Sequence, residues 1–231
     1  KDMTADVIHA MQRHGIDMIE VGIPFSDPLA DGPVIQSAGT VALKNGMTLE
    51  TLFGQLDAIK SQVNIPLVLM GYLNVIMHYG YERFCQRCVE CGVSGFIIPD
   101  LPFDDYLSEI KPLADRYNLR CIMMITPETS EERIRFIDRN TDGFIYMVSS
   151  ASITGAQQNF DEAKQQYFQR INAMNLHNPR MIGFGISNRQ TLESAQNNAA
   201  GAIIGSKFVT LLRDTGNADE ALSQLFDALK K

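Results

Sequence analysis

The residues of this chain best suited to chemistry are two carboxylates and two glycine-rich turns. Glu20 lies in Asp17-Met18-Ile19-Glu20-Val21-Gly22, where Ile19 and Val21 alternate with Glu20 and Gly22. That is the period of a short strand with two unlike faces. One face is apolar and the other carries a carboxylate where a core residue is expected. Burying an unpaired carboxylate is costly enough that it shifts its titration toward neutrality. Asp31 follows eleven residues later, beyond a loop stiffened by Pro24, Pro28 and Pro33. A carboxylate on a strand end and a second on a rigid loop make an acid/base pair. Plainer roles fit the same letters. Glu20 would equally serve an ion pair with an arginine, and Asp27 and Asp31 stand beside Pro or Gly as turn residues do. Spacing alone would leave both aspartates as turn residues.

The glycine-rich turns are Gly183-Phe184-Gly185-Ile186-Ser187 and Gly205-Ser206, each following an apolar run. Glycine lets backbone approach an anion, and a helix N-terminus presents free N–H groups with partial positive charge. Strand-to-helix turns need glycine in any case, so each turn alone decides little; two at the last two strands fit a phosphate site. Between them and the carboxylates, Ser149-Ser150-Ala151-Ser152-Ile153-Thr154-Gly155-Ala156 reads as a mobile loop of small polar residues. His9, His14, His78 and His177 share no ligand spacing and receive no catalytic role.

These residues need a scaffold, and the chain alternates apolar runs with helical patterns throughout. Strands are predicted at Met18–Ile23, Leu67–Gly71, Gly95–Pro99, Cys121–Thr126, Phe144–Ser149, Met181–Gly185 and Ala202–Gly205. Helices are predicted at Lys1–His14, Thr48–Gln62, Tyr81–Cys91, Asp104–Tyr117, Ser130–Arg139, Phe160–Met174, Arg189–Asn197, Ser206–Leu212 and Ala218–Leu229. Such alternation means parallel strands joined by crossover helices, and runs such as FIIPD suit strands covered on both faces. No repeat, low-complexity tract or linker divides the chain, so residues 1–231 are read as a single domain.

Composition excludes several classes. A net charge of −7 and a pI near 5.1 argue against nucleic acid or an anionic membrane as partner. The longest uncharged stretch, Val63 to Tyr81, is broken by Asn64, Pro66, Gly71, Asn74 and His78 and is no membrane span. The N-terminal residues carry no signal-peptide pattern, which gives a cytoplasmic expectation. Cys85, Cys88 and Cys91 form C-x-x-C-x-x-C, but the ferredoxin pattern needs a fourth Cys followed by Pro. The run falls in a helical pattern closed by Gly92, so reduced structural thiols are expected.

The fourteen residues Glu20-Val21-Gly22-Ile23-Pro24-Phe25-Ser26-Asp27-Pro28-Leu29-Ala30-Asp31-Gly32-Pro33, with Ile35-Gln36 after them, resemble the signature of the tryptophan synthase alpha chain family. Later segments agree in order over nearly the whole chain. The resemblance implies a (β/α)8 TIM barrel, with the first strand absent from the sequence as given. Seven strands are counted, and an open seven-stranded barrel is the less favoured alternative because it would leave strand edges unpaired.

The resemblance also implies cleavage of indole-3-glycerol phosphate to indole and glyceraldehyde 3-phosphate, with no metal or organic cofactor. Glu20 would be the general acid and base, a role suited to a carboxyl titrating nearer neutrality than usual. Asp31 would accept the indole N–H. Tyr72, Asp100, Tyr146, Thr154 and Phe184 would face the substrate. Gly155, Gly185, Gly205 and Ser206 would hold the phosphate, and Asp27 and Asn74 would lie at the partner interface. Residues 149–156 would form a lid, although Ser150 and Ser152 stand where some members have Arg and Gly. The partner would be a pyridoxal-phosphate beta chain in an alpha2-beta2 tetramer. Alternatives are a stand-alone lyase, a non-catalytic activator of a beta chain, and a phosphosugar isomerase or synthase on the same barrel.

Overall fold

The computed structural model describes residues 3–149, 162–183 and 185–230. They fall into two compact units, one of residues 1–30 and 36–121 and one of residues 31–35 and 122–231.

The first unit opens with α1 (Thr4–Arg13), followed by β1 (Ile19–Gly22), α2 (Pro33–Lys44), α3 (Leu49–Ile59) with a 3-10 turn after it, and β2 (Leu67–Met70). Next come α4 (Leu73–Tyr79), α5 (Tyr81–Glu90), β3 (Gly95–Ile97), α6 (Phe103–Asp105), a π turn at Tyr106–Ile110, α7 (Lys111–Arg116) and the start of β4 (Arg120–Ile125). β1, β2 and β3 pair in parallel, with Glu20 opposite Val68 and Leu69 opposite Phe96. β2 is buried at Leu67, Val68 and Leu69, as a parallel strand covered on both faces must be. Phe53 of α3, Phe84 of α5 and Phe96 of β3 form a chain of rings with centroids 5.9 and 5.3 Å apart, the second pair edge to face. Thr48 caps α3 by accepting from the Thr51 N–H, an interaction worth about 1 kcal/mol.

The second unit carries the rest of β4, then α8 (Glu131–Asn140), β5 (Ile145–Val148), α9 (Glu162–Ala173), β6 (Arg180–Gly183), α10 (Arg189–Asn198), β7 (Gly201–Ala202), α11 (Ser206–Thr215) and α12 (Ala218–Lys230). β4 to β7 again pair in parallel in chain order. Asp138, 8% exposed, accepts from the backbone N–H groups of His177 and Asn178 at 2.8 and 2.9 Å. Asn178 returns bonds to the Asp138 and Thr141 carbonyls, so the end of α8 and the approach to β6 are tied by satisfied buried groups.

All seven predicted strands are present, most a residue or two shorter than the apolar runs, and the last is confined to Gly201–Ala202. The sequence reading places no helix between Gly32 and Thr48 or at 73–79, yet α2 and α4 are there. α2 begins with Pro at its first position, where the missing N–H costs nothing. It fully buries none of its residues, with Val34, Ile35, Ala38 and Ala42 half-buried, and Gly39 in its middle weakens the helical signal. α4 is only seven residues long and stops at Gly80, whose φ of 96° few other residues adopt. The helix predicted at Asp104–Tyr117 is interrupted by the π turn. Pro112 has no N–H to give Ser108, and the wider turn before it absorbs the mismatch. No helix among the described residues is long and apolar enough to cross a membrane.

The three cysteines of the C-x-x-C-x-x-C run lie on the inner side of α5 and at its end, and each is at most 1% exposed. Cys91 donates to the Phe53 carbonyl at 3.3 Å. Burial pushes the Cys85 thiol up to about 11 and raises Cys88, Cys91 and Cys121 as well. Since the thiolate is the nucleophile, all four should be inert in the folded protein at pH 8. A disulfide reagent should titrate almost none of them natively and four in guanidinium. Rapid native labelling would show the cluster open to solvent.

Candidate active site

In the first unit the site is built where β1 and β2 end. The ladder runs one residue past β1, the Ile23 N–H donating to the Met70 carbonyl at 2.7 Å. Pro24 has no N–H, so the ladder stops there and the loop begins. Gly71 permits the crossing. A Cβ on it would lie 2.7 Å from Ile23 Cδ1 and 3.2 Å from Ile23 Cβ. The loop is then held from α4. Tyr72, 4% exposed, stacks on Phe25 with centroids 5.3 Å apart and an interplanar angle of 28°. Its hydroxyl accepts from the Ala30 N–H at 3.0 Å, one residue before Asp31. Within the loop Ser26 donates to the Asp27 carboxylate at 2.5 Å, and the Leu29 N–H donates to the Asp27 carbonyl at 2.9 Å.

Glu20 is where the sequence puts it, in β1, but it is exposed and not buried. Among the described residues β1 pairs with β2 alone, and along β1 Glu20 and Gly22 are exposed while Ile19 packs inward. Asp100 is also exposed, and its Oδ1 accepts the Leu73 N–H at 2.8 Å, at the first residue of α4. A carboxylate suits a helix N-terminus on charge and on hydrogen bonding alike. Asp27 and Asn74 are exposed, as are Leu29 at 83% and Met77 at 54%.

In the second unit Tyr146 of β5 is 5% exposed, with its ring over Gly183 of β6. A Cβ at Gly183 would come within 2.5 Å of Tyr146 Cε1 and Cζ. Gly185 is half-buried with φ 81°. The N-terminus of α10 is closed by a capping box between Asn188 and Thr191. By contrast, α11 starts from Gly205 with no side chain capping it, which leaves the N–H groups of Ser206 and its neighbours for an outside acceptor. Asp31 is half-buried in the short segment of residues 31–35 that belongs to this unit, with Ile35 Cδ1 3.9 Å from where a Gly205 Cβ would stand. Thr154, Gly155 and Phe184 lie outside the described residues.

Residues 1–230 match the family model for the tryptophan synthase alpha chain. The chain belongs to that family. A tryptophan synthase alpha chain of Parabacteroides distasonis is 64% identical over 228 residues, covering 99% of this chain and 89% of that protein. One of Flavobacterium johnsoniae is 52% identical over 214 residues, covering 93% and 85%. Among solved structures, the tryptophan synthase A-subunit of Pyrococcus furiosus superimposes with a TM-score of 0.90 at 31% identity, over 99% of this chain and 92% of that one. A chain of the M. tuberculosis tryptophan synthase, solved in an aminoacrylate-bound form, gives 0.84 at 28% identity, over 99% and 86%. The fold is thus the family's TIM barrel class, and the chain is a lyase subunit of tryptophan biosynthesis from a family that works with a beta chain.

Three features of this alpha chain escaped the sequence reading. Phe25 reads as one apolar loop residue, and nothing in its spacing marks Tyr72 as its stacking partner. The capping bond from Asp100 spans 27 positions. Only Gly183 left a signal, as a glycine inside an apolar strand, which marks a close approach. Gly183→Ala should displace the Tyr146 ring and cost about 1–3 kcal/mol, the usual penalty of overpacking. A fall in Tm would register it, and a Tm equal to wild type would show that the ring moves aside freely.

Proposed function

We propose that this chain is the alpha subunit of a tryptophan synthase and cleaves indole-3-glycerol phosphate to indole and glyceraldehyde 3-phosphate, with Glu20 and Asp31 as its catalytic residues. The observation that carries the reading is family membership across residues 1–230 in a chain that keeps both carboxylates.

The chemistry is a retro-aldol cleavage. Indole leaves poorly as a carbanion, so C3 of the ring takes a proton first and the ring becomes an indolenine cation. The bond from C3 to the side chain then breaks, its electrons return to the ring, and the side-chain hydroxyl loses its proton as it becomes the aldehyde. One proton is given and one is taken, so a single carboxyl can serve both steps. Glu20 takes that role, and its exposed position in β1 leaves it accessible to a ligand. Asp31 accepts the indole N–H and stabilises the positive ring.

The phosphate end is assigned to backbone N–H groups. Gly185 with its positive φ and the uncapped start of α11 at Gly205 and Ser206 are the described parts. Gly155 would join them. Tyr72, Asp100 and Tyr146 line the substrate side, with Thr154 on the lid and Phe184 against the indole. The chemistry needs only proton transfers and electrostatics, so the subunit is assigned no metal or organic cofactor, and pyridoxal phosphate belongs to the beta partner. Asp27 and Asn74 are the interface residues, and exposed Leu29 and Met77 add the apolar area that a stable contact needs. An alpha2-beta2 tetramer in the cytoplasm is the corresponding assembly.

Indole release from indole-3-glycerol phosphate tests the proposal, measured with and without a beta chain. Strong acceleration by the beta chain is expected. Equal fast cleavage by the chain alone would instead identify a stand-alone lyase. Glu20→Gln should abolish cleavage while binding of glycerol 3-phosphate survives; wild-type turnover in that variant would remove Glu20 from the mechanism.

A further inference from the structure

We propose that Tyr72 and Asp100 form a strut that positions the loop of Asp31, so that both act on the reaction through the loop and not through the substrate alone. The proposal rests on Asp31 being catalytic as proposed above, and it deepens that reading.

The strut is continuous. Tyr72 holds the loop at two places, stacking on Phe25 near its start and accepting the Ala30 N–H at its end. Its own backbone is pinned from both sides. The preceding Gly71 N–H donates to the Ile97 carbonyl at 3.0 Å, and the following Leu73 N–H donates to Asp100 Oδ1 at 2.8 Å. The Tyr72 carbonyl accepts from the Val75 and Ile76 N–H groups, which makes it part of the first turn of α4. Asp100 in turn follows β3, where the Leu101 N–H closes a turn on the Ile98 carbonyl at 3.2 Å. A carboxylate at the end of β3 thus fixes the start of α4, and the start of α4 fixes the residue before Asp31. The loop itself has no regular secondary structure from residue 23 to 32, so its course rests on outside contacts, those of Tyr72 together with the Gln36 Nε2 bond to the Pro28 carbonyl at 3.5 Å. Displacing a catalytic group by as little as about 1 Å can cost on the order of a hundredfold in rate.

A substrate contact and a positioning contact predict different behaviour. Tyr72→Phe keeps the ring and its stacking and removes the acceptor for the Ala30 N–H. It should lower kcat by roughly tenfold with a much smaller change in KM, while the affinity for glycerol 3-phosphate stays as in wild type. In the Asp31→Asn background the same change should cost almost nothing further, since its effect passes through Asp31. A full additional loss there, or a raised KM with kcat intact, would overturn the strut.

Hydrogen exchange reads the strut without reference to catalysis. Peptides covering residues 24–31 should lose protection in Tyr72→Phe and in Asp100→Ala. Asp100→Asn should recover it, because the amide oxygen still accepts the Leu73 N–H. Protection unchanged in Tyr72→Phe would overturn the proposal. If wild-type protein with a beta chain released no indole but the exchange pattern held, the proposed reaction would fall and the loop support would stand.

Discussion

The parallel ladder between β1 and β2 is the constraint on which the loop of the first unit depends. It fixes Ile23 against Met70, it ends because Pro24 has no N–H to offer, and it requires Gly71 where Ile23 crosses. Every later contact of the loop is measured from that point. The second unit repeats the device with different residues. Tyr146 and Gly183 pass each other on β5 and β6 with no room for a side chain between them. In both units, contact between neighbouring strands positions polar groups that the apolar core alone would leave loose.

Electrostatics in this protein are built from neutral and partial charges more than from ion pairs. Ion pairs such as Arg83 with Glu50 and Arg189 with Glu193 join exposed groups, and exposed pairs of this kind contribute little to stability. The proposed phosphate end uses backbone N–H groups, which lets a chain of net charge −7 accept an anion without a basic patch. Asp100 follows the same logic in reverse, with a carboxylate against the positive end of a short helix.

Much of the fold was legible because its signals are periodic. Buried runs such as Leu67-Val68-Leu69 mark strands wherever they occur, and Thr48 and Ser130 announce helix starts by chemistry that is local in sequence. The elements that went unread lack those signals. α2 is opened by Pro33 straight from the loop and carries Gly39 at its middle, α4 is shorter than the window that reveals a period, and the π turn records a conflict between Pro112 and the helix around it. Glu20 and Asp31, the proposed catalytic pair, stand out in the sequence as residue types, and the family signature ties them together. Their surroundings do not. Exposure of Glu20 depends on which neighbours β1 has, and the bond from Tyr72 to Ala30 joins residues 42 positions apart, which no local pattern encodes.

The support of the loop by α4 has a consequence for heat. Seven residues make a helix far too short to persist in isolation, so its order is borrowed from Asp100 at one end and from the packing of Ile76 along its length. Elements of that kind open locally at a lower free energy than the core that surrounds them. The segment that bears Asp31 inherits this fragility through the Ala30 tether. Warming should therefore loosen this loop before the surrounding core melts, so that any activity resting on the proposed role of Asp31 ends below the temperature at which the chain unfolds.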